Sequence, residues 1–246
     1  MIDYSKFLNN SIQEIKPSGI RKFFDIASEM DDVISLSIGE PDFQTPWHIR
    51  EEGINSLKNG KTWYSPNRGF AQLREEIANY YARRFNISYE GKTQVLVTVG
   101  GSEAIDLAFR CIVSQGDEVI IPEPSFVCYE PLTHMAGGKA VIINTKAEDQ
   151  FRLKADDLEK AITDKTKLVV LPFPNNPTGA IMEKADLEAI AEVIKKHDLF
   201  VLSDEIYCEL TYGGKNHISI AAIDGMYERT VVINGFSKSY EFSQSR

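Results

Sequence analysis

The sequence predicts an α/β protein built around an open, mostly parallel β-sheet with helices on both faces. Three observations support this prediction. From residue 46 onward, short β-branched runs alternate with segments of helical periodicity. The runs are continuously apolar, as expected of strands that are covered on both faces of a parallel sheet. Repeated strand–helix–strand units are wound in right-handed crossovers, which gives a layered α/β/α architecture.

The individual elements follow from local composition. The segment 71–85, for example, repeats apolar side chains at helical spacing. Helices are predicted at 20–28, 46–58, 71–85, 103–113, 155–161 and 184–197. Strands are predicted at 94–99, 118–121, 140–143, 167–171, 200–203 and 230–233. Residues 1–45 are less regular and contain an apolar stretch at 33–38 that is followed by Gly39.

Composition restricts the class of partner. The 246 residues are 43% hydrophobic and 26% charged, as in an ordinary globular protein. A net charge of −9 argues against nucleic acid and anionic membrane surfaces as partners, since both require clustered Lys and Arg. No apolar run reaches membrane-spanning length, and the first residues lack the pattern of a secretory leader. We therefore expect a small-molecule substrate.

The cysteines indicate the compartment. Cys111, Cys128 and Cys208 are odd in number, widely spaced and without a CxxC pair. Such a set does not suggest a disulfide framework, and no Cys/His cluster has the spacing of metal ligands. We therefore predict a reducing, cytoplasmic location and no bound metal.

The candidate site residues lie directly after the predicted strands, because ligands of open α/β sheets bind at the carboxyl ends of the strands. Gly101 and Ser102 follow the first strand and open a helix. The backbone N–H groups of a helix start, with the Ser102 hydroxyl, would form a phosphate cradle. The alternative is a tight turn with Ser102 as the helix N-cap. The motif is neither a dinucleotide fingerprint nor a Walker loop, so NAD and ATP are not favoured.

Three further strand ends carry residues of interest. Phe126 offers a flat apolar face to an aromatic ligand, or it is a buried core aromatic. Asn176 lies in the proline-rich loop PFPNNPTG, whose amides can bind a ligand or the loop itself. Asp204 ends an apolar run, and a carboxylate buried there needs a cation or several donors. A protonated ring nitrogen is one such cation, and a helix N-cap is the alternative.

Lys238 follows the last predicted strand, among small residues. A lysine in this position is a candidate for a Schiff base, with a solvated loop lysine as the alternative. The candidates together provide a phosphate cradle, an aromatic lid, an amide loop, an acid for a ring nitrogen and a lysine for an aldehyde. This combination matches the functional groups of pyridoxal 5′-phosphate.

Six stretches of the chain, in this order, resemble the class I/II aminotransferases, which are pyridoxal-phosphate enzymes of fold type I. They are SLSIGEPDFQTP (35–46), YSPNRGFAQLREEIA (64–78), VTVGGSEAI (97–105), PFPNNPTG (172–179), VLSDEIYCEL (201–210) and VVINGFSKSY (231–240). The resemblance implies that Lys238 binds the cofactor and moves the proton at the substrate Cα. It also implies that Asp204 pairs with the pyridinium nitrogen, and that Tyr207 and Asn176 contact the phenolic oxygen.

The same resemblance implies the remaining contacts. Phe126 should stack on the cofactor ring, and Gly39 should lie near the substrate carboxylate. Tyr64 should reach the cofactor phosphate of a neighbouring subunit, which implies a homodimer with shared sites. Pro124 and Pro177 should follow cis peptide bonds. The expected ligands of the phosphate are Gly101, Ser102, Ser237 and Arg246.

The resemblance also implies a domain division and a reaction. Residues 1–45 would form an N-terminal arm and a segment of a small domain, and residues 46–246 a cofactor-binding large domain that is incomplete at its C-terminal end. Family members continue through an antiparallel strand, which lies within the sheet, and a C-terminal small domain. The implied reaction is ping-pong transfer of an amino group between an L-amino acid and a 2-oxo acid. The alternatives are a C–S β-lyase of the same fold and a non-catalytic, truncated remnant.

Overall fold

The computed structural model describes residues 2–13, 15, 19, 23, 26, 29, 30, 34, 39 and 41–242. The predicted helix at 20–28 and the apolar stretch at 33–38 lie largely outside these residues, and Arg246 lies wholly outside them. No helix among the described residues is long and apolar enough to cross a membrane.

A parallel sheet forms the centre of the structure. Its five strands are β1 (Glu118–Glu123), β2 (Lys139–Asn144), β3 (Thr166–Leu171), β4 (Phe200–Asp204) and β5 (Thr230–Ile233). They lie in the order β2-β1-β3-β4-β5, and every pair is parallel. All five were predicted, with ends that differ by at most two residues from those observed. Because the strands are parallel, their carboxyl ends lie at the same edge of the sheet.

Helices connect the strands and flank the sheet. The described helices are α1 (Asn10–Gln13), α2 (Trp47–Lys58), α3 (Ala71–Phe85), α4 (Gly101–Ile112), α5 (Tyr129–Met135), α6 (Ala155–Ala161), α7 (Lys184–Lys196) and α8 (Phe236–Ser239). Helix α3 ends where Asn86 adopts the left-handed conformation, and α7 begins with a reciprocal cap between Glu183 and Asp186. Short 3-10 helices lie at Tyr4–Lys6, Ala147–Asp149, Ile220–Ala222 and Tyr227–Arg229.

The two faces of the sheet bury separate apolar cores. Alternate strand residues point to opposite faces, so Val169 packs toward one core and its neighbour Val170 toward the other. The first core contains side chains of α6 and α7, and the second contains side chains of α4 and α5. The predicted α/β/α layering is therefore confirmed. A third cluster packs α3 against Cys208 and Ala221.

The prediction of a strand at 94–99 is wrong. In the structure this segment is irregular and belongs to no sheet, and Leu96 and Val99 are exposed. Its backbone hydrogen bonds to other segments run from the Gln94 N–H to the Glu90 carbonyl at 2.8 Å and from the Val97 N–H to the Arg68 carbonyl at 3.2 Å. A β-branched run becomes a strand only when another strand satisfies its backbone groups, and none of the described residues does so here.

The expected cis prolines are present. The peptide bonds before Pro124 and Pro177 are cis, as the resemblance implied. The bond before Pro174 is also cis, which the sequence reasoning did not anticipate.

Candidate functional site

The carboxyl edge of the sheet brings most of the candidate residues together. Strand β4 ends at Asp204, and Tyr207 lies in the turn that follows it. Strand β3 leads to the loop with Asn176, and strand β5 leads to the short helix α8 with Lys238. Five strands that run in one direction thus position side chains that are distant in the sequence.

Asp204 is a buried acid with two neutral hydrogen-bond donors. Its side chain is 7% exposed; Oδ2 accepts a 2.7 Å bond from the Tyr129 hydroxyl, and Oδ1 accepts a 3.2 Å bond from the Ile206 N–H. Burial raises the pKa of Asp204, and these two hydrogen bonds oppose that rise. The alternative role of helix N-cap is wrong, because a turn rather than a helix follows Asp204.

Tyr129 is the residue that sequence reasoning missed. It is the first residue of α5, and its ring is 1% exposed. Phe126 packs edge-on against it, with ring centroids 6.0 Å apart. The available signal was that Tyr129, like Phe126, lies shortly after the end of a predicted strand, where site residues of parallel sheets are found.

Tyr207, Asn176 and Gly39 form a second contact group. The Asn176 amide donates to the Tyr207 hydroxyl at 3.4 Å, and that hydroxyl donates to the Gly39 carbonyl at 3.3 Å. Burial raises the pKa of Tyr207, while the bond from Asn176 opposes the rise. A Cβ on Gly39 would lie 2.8 Å from the Tyr207 oxygen, so only glycine fits this approach.

Lys238 joins this group from α8. Its Nζ donates a 2.6 Å hydrogen bond to the Gly39 carbonyl and lies 5.7 Å from the centroid of the Tyr207 ring. The side chain is half-buried rather than free in solvent. The structure therefore places the ammonium group, the phenol and the amide around one small volume at the edge of the sheet.

Glycines open the backbone beside this volume. Helix α4 begins at Gly101, and its N-cap is Gly100, with φ of 88°. The expected alternative of Ser102 as the N-cap is therefore wrong, since Ser102 lies inside the first helical turn with its side chain exposed. No side chain among the described residues caps the start of α4, which leaves its first N–H groups without a side-chain acceptor there.

One side chain joins the helix start to the lysine segment. A Cβ on Gly101 would lie 3.4 Å from Cδ1 of Ile206, and a Cβ on Gly235 would lie 3.5 Å from the same atom. The Ile206 side chain therefore contacts both Gly101 and Gly235. Glu103 adds a carboxylate in the first turn of α4, where it accepts a hydrogen bond from the Val99 N–H.

The remaining candidates have different settings. Phe126 is partly exposed, which contradicts the alternative of a fully buried core aromatic. Ser237 lies in α8 next to Lys238 and is half-buried. Tyr64 is fully exposed, and the structure does not bring it to the other candidates. Arg246 lies outside the described residues.

The neighbouring loop residue Asn175 is structural. Its side-chain oxygen accepts hydrogen bonds from the Thr178 N–H at 3.1 Å and the Thr178 hydroxyl at 2.8 Å. Its backbone N–H donates to the Ala180 carbonyl. Asn175 thus shapes the loop, and Asn176 is the amide that points toward Tyr207.

The residues present fit pyridoxal phosphate. The deciding observation is Asp204, whose buried carboxylate has no Lys, Arg or His within ion-pair distance in the described part of the chain. A protonated ring nitrogen would supply the missing positive charge. The glycines at the start of α4 and the amine of Lys238 match a phosphate and an aldehyde.

Comparison with known proteins identifies the family. The model of the aminotransferase class I and II family matches residues 31–245. The chain belongs to this family. Its members bind pyridoxal phosphate, and their fold is the fold-type-I α/β architecture described above. The relatives below carry aminotransferase names and therefore favour neither the lyase nor the non-catalytic alternative.

Individual relatives cover nearly the whole chain. A Bacillus subtilis protein, provisionally named an aminotransferase, is 52% identical over 96% of the chain and 61% of its own length. The aromatic-amino-acid aminotransferase 2 of Thermococcus litoralis is 46% identical over 95% of the chain and 60% of its own length. The chain thus spans about 60% of the length of these class I/II relatives.

Solved structures agree with the fold. A Thermus thermophilus aspartate aminotransferase mutant superposes with a TM-score of 0.88 at 37% identity, over 96% of this chain and 62% of its own. A Pyrococcus protein superposes with a TM-score of 0.92 at 46% identity, over 95% of this chain and 60% of its own.

Proposed function

We propose that this chain provides the cofactor-binding half of a pyridoxal-phosphate-dependent aminotransferase that moves an amino group between an L-amino acid and a 2-oxo acid. The observation that carries the proposal is the arrangement of Asp204 and Lys238 at one sheet edge. Asp204 is a buried acid that pairs with no cation in the part of the chain that the structure describes, and Lys238 is an amine beside a phenol. The family match supports the same reaction class.

Each site residue receives a role in this proposal. When bound, the cofactor supplies an electron sink that stabilises negative charge at the substrate Cα. Asp204 would keep the ring nitrogen protonated, since its buried carboxyl group lies at the sheet edge and pairs with no cation among the described residues. Lys238 anchors the cofactor and later moves the proton at the substrate Cα. Tyr207 and Asn176 donate hydrogen bonds to the phenolic oxygen.

Other residues orient the cofactor and the substrate. Phe126 covers one face of the ring with its exposed side, and the Gly39 segment lies against the substrate carboxylate. The backbone of Gly101 and the hydroxyls of Ser102 and Ser237 bind the phosphate, because the start of α4 is uncapped. Arg246 is a further proposed phosphate ligand.

The proposal extends to domains, assembly and location. Residues 1–45 form an arm with a segment of the small domain, and residues 46–246 form the large domain. Tyr64 completes the site of a second copy in a homodimer, which agrees with its full exposure and with exposed Trp47, Leu57 and Trp63 nearby. The protein acts in the cytoplasm, in amino-acid biosynthesis. Its three cysteines are free, as a reducing compartment requires.

The decisive experiment is covalent trapping of the cofactor. Protein mixed with pyridoxal phosphate is reduced with borohydride, digested and analysed by mass spectrometry. We expect a near-visible absorbance band before reduction and a cofactor mass on Lys238 after it. Lys238→Ala should abolish both, whereas Lys184→Ala, a surface lysine of α7, should change neither. Absence of the mass from Lys238 in the unaltered protein would refute the cofactor assignment.

A second measurement tests the reaction. Protein loaded with cofactor is mixed with an L-amino acid, and formation of the 2-oxo acid is followed by chromatography. Amino transfer predicts one 2-oxo acid per site without an acceptor, followed by turnover when a second 2-oxo acid is added. Release of pyruvate and ammonia from a sulfur amino acid without an acceptor would instead identify a lyase.

A further inference from the structure

A second buried carboxylate follows Asp204 directly, and the roles above leave it unused. Glu205 is 0% exposed. Its Oε1 accepts hydrogen bonds from the Ser203 hydroxyl at 2.8 Å and the Ser219 hydroxyl at 2.7 Å. A carboxylate removed from water costs several kcal/mol unless such partners hold it. The two hydroxyls satisfy Oε1 only, and Oε2 has no hydrogen-bond donor among the described residues, so part of this cost is not offset.

His217 faces the other oxygen of the same carboxylate. Its Nε2 lies 3.1 Å from Oε2 of Glu205, and its side chain is 8% exposed. The approach angle falls short of a hydrogen bond, so the two atoms meet at ion-pair distance without an aligned donor. The His217 ring packs edge-on against Phe85 of α3, with centroids 5.7 Å apart. Both partners are thus enclosed by the third apolar cluster.

The position of Glu205 connects the two segments that bear the site. Its backbone N–H donates a 2.8 Å hydrogen bond to the carbonyl of Ile233, the last residue of β5. The chain then continues into α8 and Lys238. On its other side, Glu205 lies within the turn that carries Asp204 and Tyr207. The buried carboxylate of Glu205 therefore lies between the turn that carries Asp204 and the segment that carries Lys238.

The neighbouring charge argues for a role beyond packing. Burial raises the pKa of Asp204, and the adjacent Glu205 charge adds to that rise, so the two acids are mutually unfavourable. Replacement of a buried ionic group by an apolar one of similar volume is often neutral or stabilising. Stability alone therefore gives no reason for an acid at this position.

We propose that Glu205 is a positioning residue, whose carboxylate is hydrogen-bonded by Ser203 and Ser219 so that the turn with Asp204 and Tyr207 stays fixed against the end of β5. The proposal rests on the proposed function, because the groups that it positions are the ones assigned to the cofactor. Glu205 acts through the backbone and contacts neither reacting group.

The test separates hydrogen bonding from packing by two substitutions. Glu205→Met fills a similar volume but accepts no hydrogen bond, whereas Glu205→Gln keeps an acceptor for the two serine hydroxyls. Glu209→Gln is the matched control, because Glu209 lies four residues further along, is partly exposed, and as a glutamine keeps an oxygen for the Tyr80 and Arg84 donors. All three are compared with the unaltered protein.

The first measurement needs no cofactor. Amide hydrogen exchange of the segment 204–210 is followed by mass spectrometry, with helix α7 as the internal reference. In Glu205→Met we expect exchange of this segment to accelerate about tenfold while α7 is unchanged, as in local opening. Glu205→Gln and Glu209→Gln should resemble the unaltered protein. Equal acceleration of α7 would mark general destabilisation and overturn the proposal.

The second measurement is titration with pyridoxal phosphate. Glu205→Met should bind about tenfold more weakly, and its absorbance band should titrate at a different pH; Glu205→Gln should stay within about threefold. Unchanged exchange and affinity in Glu205→Met would also overturn the proposal. Should Glu205→Met not fold, Ser219→Ala removes one donor and should accelerate local exchange about threefold. If the unaltered protein binds no cofactor, the proposed function fails, while exchange still decides the positioning role.

Discussion

The Tyr129 hydroxyl donates a 2.7 Å hydrogen bond to Oδ2 of Asp204, and both side chains are buried. Tyr129 begins α5 and Asp204 ends β4, so the bond joins a helix on one face of the sheet to the sheet edge. It gives the acid a donor but no positive charge. The site is therefore arranged around an acid that is hydrogen-bonded and not neutralised by the described residues.

Removal of this donor should destabilise the protein. In Tyr129→Phe, one buried oxygen of Asp204 loses its partner, which costs about 1–3 kcal/mol of the free energy of unfolding. Denaturation by urea measures this loss. The control is Tyr212→Phe, since Tyr212 is exposed and its change should stay within about 0.5 kcal/mol. Similar losses in both variants would show that the buried hydrogen bond does not add to the free energy of unfolding.

The cofactor-free protein should lose stability as Asp204 ionises. Burial raises the folded-state pKa of Asp204 above its ordinary value of 3.8, so the folded state binds this proton more tightly than the unfolded state. The resulting stability is fully present below pH 3.8 and is lost as pH rises through the folded pKa. The Asp204→Asn variant has no carboxyl group to ionise at this position. Its free energy of unfolding, minus that of the unaltered protein, should therefore increase with pH over that range.

A matched substitution should show the opposite trend. Lys215 and Arg152 lower the pKa of Glu183, so its stability contribution is present above the ordinary pKa and is lost as pH falls. Relative to the unaltered protein, Glu183→Gln should therefore lose stability as pH rises through the acid range. Denaturation at a series of pH values measures both differences. Parallel curves for the two variants would contradict the assignment.

The same Asp204→Asn change should weaken cofactor binding. A neutral amide provides no counter-charge for a protonated ring nitrogen, and a hydrogen bond to a charged group contributes about 1.5–3 kcal/mol. We expect the affinity for pyridoxal phosphate to fall by roughly 10- to 100-fold. Fluorescence titration measures it, with Glu183→Gln as the control that keeps full affinity. Unchanged affinity in Asp204→Asn would remove Asp204 from the cofactor site.

Gly69 should be sensitive to a single added methyl group. Its φ is +85°, and a Cβ would lie 2.6 Å from Cγ2 of Val97. Gly60 has a φ of +67° but open space around it, so Gly60→Ala should cost only the left-handed conformation, about 1–2 kcal/mol. Gly69→Ala should cost about 2–4 kcal/mol, and Val97→Ala in the same chain should recover part of that loss. Equal losses at the two glycines in urea denaturation would contradict this packing.

The three cysteines should differ in reactivity. Burial raises the pKa of Cys128 to about 12 and also raises the pKa of Cys208, whereas Cys111 is exposed. The thiolate is the reactive form, so at pH 8 Cys128 should have on the order of a thousandfold less of it than an ordinary cysteine. Iodoacetamide should label Cys111 first, as read by mass spectrometry. Rapid labelling of Cys208 in the folded protein would show that its core opens.

Local composition determined the order and type of the elements. Five of six predicted strands and the helices at 71–85 and 155–161 are present, because continuous apolar runs and helical spacing are properties of neighbouring residues. The candidates Asn176, Asp204, Tyr207 and Lys238 were also accessible to sequence reasoning. Each follows a predicted strand, and parallel strands end at one edge.

Only the tertiary structure decided which residues contact each other. Tyr129 reaches Asp204 across 75 residues of sequence. Glu205 accepts a hydrogen bond from Ser219 and faces His217, both from a later segment. The segment 94–99 has the composition of a strand but is not one, because pairing depends on a neighbouring strand and not on the run itself. Sequence determines what each segment can become, whereas hydrogen-bond partners and burial depend on chain segments brought together by folding.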